Sequence, residues 1–201
     1  YKRQVDKVVT YPGYPAAGTF DLALMHLHGA LPAAALPLPL APVGYALKNG
    51  QAVYAYGYGN TAETYTPQQI ANQQWDDYKA TPTRYLRVTA GGSYVDQASC
   101  DTDTDWCLHH VGKSQIMHGD SGGPWVTSTS NPFVIGVQST VLIAKKTSST
   151  TVNWQYASAP RVTAEGARGW VQEIAGLYAP EIDTIYRDSR TGQSWLAEAD
   201  G

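Results

Sequence analysis

His118-Gly119-Asp120-Ser121-Gly122-Gly123-Pro124-Trp125 is the stretch on which the reading of this chain turns. A serine hydroxyl is a weak nucleophile, and it becomes useful beside a general base and opposite an anion-stabilising pocket. Glycines on either side of Asp120-Ser121 leave the backbone bare, so a carbonyl group can approach. The N–H groups of Gly119 and Ser121 would then converge on an oxyanion. A glycine-rich turn with a solvated Ser-Asp pair would look the same over so few residues, so the surroundings must decide.

Gly119 to Gly123 also fits the Gly-x-Ser-x-Gly elbow of α/β-hydrolases. Those enzymes place a helix directly after the serine and the histidine downstream of it. Here Gly122-Gly123-Pro124 opposes a helix. All five histidines (His26, His28, His109, His110 and His118) precede Ser121. That class is excluded. Base and acid upstream of the serine is the order of the chymotrypsin-like template. Gly119-Asp120-Ser121-Gly122-Gly123-Pro124 resembles the active-serine motif of the chymotrypsin/trypsin-like serine proteases.

Composition agrees with a turn-rich β protein. The chain has 201 residues, 15% of them charged, with 19 Gly and 12 Pro, which suits one substantial core cut by many turns. A net charge of −3 without a basic cluster gives nucleic acid no electrostatic footing. The one long apolar run, Leu31 to Leu47, holds Pro32, Pro37, Pro39 and Pro42. It reads as a linker and edge strand rather than a membrane helix. The chain opens on Tyr1 without a secretion leader, as expected of a processed or excised piece.

Cys100 and Cys107 enclose a six-residue loop. No second cysteine or histidine pair completes a zinc site. Asp101, Asp103 and Asp105 alternate like calcium-loop ligands, yet the turn glycine and closing glutamate are missing. No metal is therefore expected. A disulfide is the better reading, and it points to a secreted, extracellular protein.

Further likeness to the protease family follows in chain order. Tyr11-Pro12-x-Tyr14 followed by Asp21-Leu22-Ala23-Leu24 resembles the strand that carries the triad aspartate, which implies that Asp21 holds and charges the catalytic imidazole. Gly57-Tyr58-Gly59 resembles the family's Gly-Trp-Gly segment at the start of the second barrel. Cys100 and Cys107 resemble the disulfide loop before the specificity pocket. Gly136-Val137-Gln138-Ser139 resembles the segment that lies along a bound peptide, with Ser139 supporting Asp21. By the same resemblance Gln115 lies at the pocket base, His118 at its flank and Thr140-Val141 in its wall. Asp120 is implied to be structural, pairing with a freed amino terminus. Met117 stands where many members carry a second pocket cysteine.

The resemblance covers about residues 5 to 177 and implies an all-β fold, a double antiparallel β-barrel with a C-terminal helix. The implied divisions are 1–40, the end of an incomplete first barrel and a linker; 41–162, a second barrel with the serine loop; and 163–177, the helix. Apolar Ala167, Trp170, Val171 and Ile174 carry that helix's periodicity. Residues 178–201 form a tail of unknown role.

The triad histidine has no counterpart. Only twenty residues precede Asp21, and His26 and His28 are carried roughly 16 Å or more along its strand at about 3.3 Å per residue. His109 and His110 read as surface residues, and none of the five histidines reads as the base. The base is expected upstream of residue 1, so the chain alone should be inactive and should fold poorly with an open barrel edge. The implied function is a monomeric serine endopeptidase that cleaves protein or peptide substrates through an acyl-enzyme on Ser121, with no cofactor. The pocket residues suggest small or medium uncharged side chains before the scissile bond. The alternative is a non-catalytic homologue acting as a binding or regulatory module. Alkylation under denaturing, non-reducing conditions should find no free thiol on Cys100 or Cys107; two labelled cysteines would refute the disulfide.

Overall fold

A computed structural model describes residues 3–177 other than 17, 30, 76–77, 82, 90–92, 96–102, 111–114 and 147, together with the strand backbones at 184–187 and 194–197. The chain begins with an antiparallel pair, β1 (Val5–Thr10) and β2 (Ala23–Leu27), with Thr10 opposite Ala23. Tyr11 N–H donates to Leu22 O (2.8 Å) and closes the connection. Next come β3 (Tyr54–Gly57), β4 (Ala62–Thr64), α1 (Pro67–Ala71), β5 (Lys79–Thr81), β6 (Arg87–Val88), β7 (Ser93–Val95) and β8 (Asp105–His110). After the serine loop follow β9 (Pro124–Val126), β10 (Val134–Val137), β11 (Thr140–Lys146), β12 (Val152–Pro160) and α2 (Glu165–Leu177). A terminal hairpin pairs β13 (Thr184–Arg187) with β14 (Ser194–Ala197).

Two four-stranded antiparallel sheets make the body, in the orders β10-β9-β3-β6 and β11-β12-β8-β7. They approach at Gly136, which bridges to Arg161. A side chain at Gly136 would meet Pro160 O at 2.9 Å and the Ala159 Cβ at 3.0 Å, so the crossing requires a glycine. Arg161 lies over the Trp106 ring at 4.4 Å and donates to Asp105 O at 2.9 Å, sealing the corner. Between the sheets sit Val53, Ala55, Trp106, Leu108, Ile116, Trp125 and Ile135, all buried. The indole N–H groups of Trp106 and Trp125 donate to Ile135 O and Gln138 Oε1, so neither ring buries an unpaired donor.

A second apolar cluster joins the two ends of the chain. Leu22, Val126, Val134, Val162, Ala167 and Trp170 are buried together, with Tyr11 edge-on to both Phe20 and Trp170. Helix α2 turns the apolar face read in the sequence onto the β1–β2 pair, and its Arg168 donates to Ala41 O. Among the described residues β1 and β2 pair only with each other, and Val5, Val8 and Met25 stand exposed. The mostly β architecture with its short C-terminal helix therefore matches the sequence reading.

Several local readings differ. The edge strand read in the proline run reduces to a bridge between Leu40 and Val134. Helix α1 went unread although Thr66-Pro67-Gln68-Gln69 is a capping box with proline at the first turn. Among the described residues no helix is long and apolar enough to cross a membrane.

His110, expected at the surface, is buried in β8 at 7% exposure. Its Nδ1–H donates to Trp154 O (3.1 Å) and its Nε2 accepts the Ile116 N–H (3.4 Å), an arrangement that suits a neutral ring. Burial pushes its pKa down from 6.5 to about 4. Between those values the unfolded imidazole takes up a proton that the folded one refuses. Stability from this group is therefore full above pH 6.5 and is lost as pH falls toward 4, on the order of 3 kcal/mol in all. Urea unfolding of wild type and His110→Gln should show a stability gap at pH 7 that narrows by pH 4.5. A gap independent of pH would refute the neutral buried ring.

Candidate active site

The serine loop is pinned from inside by Asp120. Its Oδ1 accepts the Gly59 N–H (2.7 Å) and its Oδ2 the Met117 N–H (3.0 Å). Its backbone N–H donates to Met117 O (3.1 Å), and its own carbonyl accepts from Gly123 N–H (2.9 Å). A Cβ on Gly57 would lie 2.0 Å from the Asp120 Oδ1, and one on Gly59 2.5 Å from its Cγ. The Gly57-Tyr58-Gly59 segment is thus the seat of this carboxylate. Gly119 has φ +92°, in the left-handed region that favours glycine. The family resemblance implied a freed amino terminus as the partner of Asp120. The described partners are two backbone amides, and Tyr1 lies outside the described residues.

This seating turns Ser121 outward. Its exposed Oγ makes one long bond, to Ser139 O at 3.4 Å. Among the described residues the N–H groups of Gly119 and Ser121 donate to no acceptor. Gly122 N–H donates to Gln138 O and Gln138 N–H to Gly123 O (2.9 and 2.8 Å), which locks the loop against the strand end at Ser139. Ser139 Oγ in turn donates to Asp21 Oδ2 at 2.7 Å, across 118 positions of chain. The Tyr14 hydroxyl also bonds Asp21, whose negative charge raises the pKa of that phenol. Ser121, Ser139 and Asp21 therefore form one chain of contacts.

Among the described residues no imidazole is bonded to Ser121 or Asp21. His26 Nδ1 bonds Asp6 Oδ1 (2.6 Å), a carboxylate on the neighbouring strand that was not anticipated as its partner. His109 packs on Tyr156 at 4.7 Å, and His110 is the buried ring described above.

A cavity of about 770 Å³ opens beside Ser121. His118, Ser139, Thr140 and Val141 line it, joined by Met117, Ile70, Gln73, Trp75, Leu142 and Trp154. None of its described lining residues is Asp, Glu, Lys or Arg. Gln115 is elsewhere: its Oε1 accepts the Trp154 N–H (2.9 Å) and it lines a neighbouring cavity of about 630 Å³.

Sequence reading missed Glu63. Its side chain is fully buried yet accepts from His118 N–H (3.0 Å), His118 Nδ1 (2.9 Å), Asn60 Nδ2 (3.1 Å), Tyr65 OH (2.9 Å) and Trp154 Nε1 (3.2 Å). Burial alone would raise this carboxyl, but the bonds from His118, Asn60, Trp154 and Tyr65 outweigh it and hold its pKa below the ordinary 4.5. The His118 ring is stacked on Tyr78 (4.7 Å between centroids) and edge-on to Trp154 (5.5 Å). Glu63 sits in an ordinary alternating segment, so the available signal was only that an acid on the inward face of a strand needs partners.

Cys107 is fully buried in β8 and no free cysteine occurs among the described residues, while Cys100 lies outside them. No group of three metal-ligating side chains occurs among the described residues. Asp101 lies outside them, and Asp105 accepts from Thr104 and Ser158.

Two packed sheets, a closing helix and an outward serine beside a half-buried aspartate define a protein of the chymotrypsin-like kind. A family model described as Trypsin matches residues 1–159, and the chain belongs to that family. No curated protein matches the sequence. Among solved structures, human heparin binding protein superposes with a TM-score of 0.63 at 18% identity, over 87% of this chain and 66% of that one. A doubly substituted mutant of the same human protein gives 0.59 at 17% identity, over the same shares. The chain thus spans slightly less than two thirds of those proteins, and at such identity the likeness concerns fold alone.

The glycine seat of Asp120 can be tested against a glycine that touches nothing. Gly59→Ala should destabilise by roughly 1–3 kcal/mol through overpacking. Gly169→Ala, in α2 with open space around it, should stabilise by about 0.5–1 kcal/mol. Urea unfolding of both variants checks the pair, and a neutral Gly59→Ala would contradict the seat.

Proposed function

We propose that the chain carries the serine, the acid and the oxyanion-binding backbone of a serine endopeptidase whose imidazole lies upstream of residue 1. The observation that carries this reading is Ser139. Its Oγ holds Asp21 while its carbonyl meets the hydroxyl of Ser121, so acid and nucleophile face one space.

In the complete protein an imidazole occupying that space, its other nitrogen bonded to Asp21, takes the Ser121 proton as Oγ attacks the peptide carbonyl. Gly119 and Ser121 N–H receive the oxyanion. The imidazolium then gives the proton to the leaving amine, and the C–N bond breaks to leave an acyl-enzyme. Water, deprotonated by the same ring, attacks that ester and restores the Ser121 hydroxyl. Asp120 acts at a distance by keeping the loop in shape.

Protein or peptide substrates, a Cys100–Cys107 disulfide, a monomeric state and secretion are part of the same proposal, since the family works on proteins and is typically secreted. Among the described residues no carboxylate lines the cavity, which disfavours Lys or Arg before the scissile bond. Heparin binding, named for the structural neighbour, is not carried over, because this chain has net charge −3 and no basic cluster.

On the full-length protein a fluorophosphonate probe should label Ser121, and Ser121→Ala should abolish labelling. Asp21→Asn should lower kcat by about 10⁴-fold, as loss of the acid's charge does in the serine-protease template. A full-length protein that neither labels nor cleaves any peptide of a random library would be a non-catalytic homologue.

A further inference from the structure

We infer that Glu63 is a positioning residue that sets His118 to receive an acidic side chain of the substrate in the cavity beside Ser121. This rests on the protease reading above and goes beyond it by naming the substrate class. It replaces the uncharged side chain suggested by the pocket residues with an acidic one, because Glu63 stands behind His118.

The geometry begins with the buried carboxylate. Glu63 meets four neutral donors, namely the Asn60 amide, the Tyr65 phenol, the Trp154 indole and the His118 backbone N–H. A carboxylate so deeply enclosed is ordinarily answered by a positive charge. Among its partners only the His118 ring can carry one, and both carboxylate oxygens lie 2.9 Å from its Nδ1. The ring cannot turn away, because Tyr78 stacks on it and Trp154 abuts it.

With Nδ1 committed to Glu63, the Nε2 edge is what this partly exposed ring offers the cavity. Among the described residues the titratable or charged groups around it are Glu63 from β4, Tyr78 preceding β5 and Asp120 on its own loop. Asp120 is turned inward onto Gly59 and Met117. Among the described residues no second acid or base lines the cavity. A substrate carboxylate entering there would accept a charge-assisted hydrogen bond from Nε2–H, making a carboxylate–imidazolium–carboxylate line. Ile70, Trp75 and Val141 would cover its methylenes.

The test uses the full-length protein and a peptide set that varies the three residues before the scissile bond among Glu, Gln and Leu. At one of them Glu should exceed both Gln and Leu by about tenfold or more in kcat/KM, the scale of one charge-assisted hydrogen bond. His118→Gln should bring that ratio close to one. Glu63→Gln should lower it mainly through KM, with Glu63→Asp restoring part of it. Should Glu63→Gln fail to fold, His118→Gln alone carries the test. Cleavage with no preference for Glu, or with Gln favoured, would overturn the inference and leave the protease reading intact. Should no peptide be cleaved, the protease reading falls. The inference is then judged by NMR of the His118 ring titrated with acetylated peptides ending in Glu amide or Gln amide. A response confined to the Glu peptide supports it, and equal responses overturn it.

Discussion

The site depends on where one carboxylate is allowed to sit. Asp120 points away from solvent into a seat made by Gly57 and Gly59, where any side chain would overlap it. Bound there by the amides of Gly59 and Met117, it draws the serine loop inward. The next residue, Ser121, is left facing outward. A carboxylate withdrawn from water is tolerated only where donors meet it, so the loop has few other ways to lie. The seat comes from β3 and its exit, the donors from that exit and from the residue three before the aspartate, and the outward serine is their joint result.

Another carboxylate, this one fully buried, organises the neighbouring wall. Glu63 gathers donors from Asn60, Tyr65, His118 and Trp154, and Tyr65, Trp75, Tyr78 and Trp154 contact one another edge-on or tilted around it. Removing one partner of such a cluster leaves buried polar groups unsatisfied, which is more damaging than losing one ordinary hydrogen bond. The wall beside Ser121 is therefore stiff. That stiffness suits a residue such as His118, whose orientation decides what it can bond.

The first hairpin and helix α2 meet in a second apolar cluster. Tyr11 and Phe20 from the first hairpin pack with Trp170 of α2, and Leu22 lies in the same cluster. Asp21 is the next residue back, so the packing that buries Leu22 also delivers Asp21 to Ser139. The position of the acid is thus set by apolar contacts as much as by its own hydrogen bond.

Much of this was legible in residue order. Gly119 to Pro124 identified the serine loop because few residue types satisfy a bare, left-handed turn beside a nucleophile. Asp21 was singled out because Tyr11-Pro12-x-Tyr14 and the run after it resemble the strand that carries the family's aspartate. The spacing of Ala167, Trp170, Val171 and Ile174 marked a one-faced helix. Local pattern carries such information because it reflects backbone freedom and the period of burial. Glu63 was not legible, since its donors lie between 2 and 91 residues away and nothing in its own segment marks it. His110 and Gln115 were misplaced for the same reason: whether a polar side chain is inside, and which cavity it faces, depends on strands paired across the sheet. Residue order determined which groups could do chemistry. Only the tertiary structure decided which of them meet, because burial and hydrogen-bond partnership are properties of chain segments brought together from far apart.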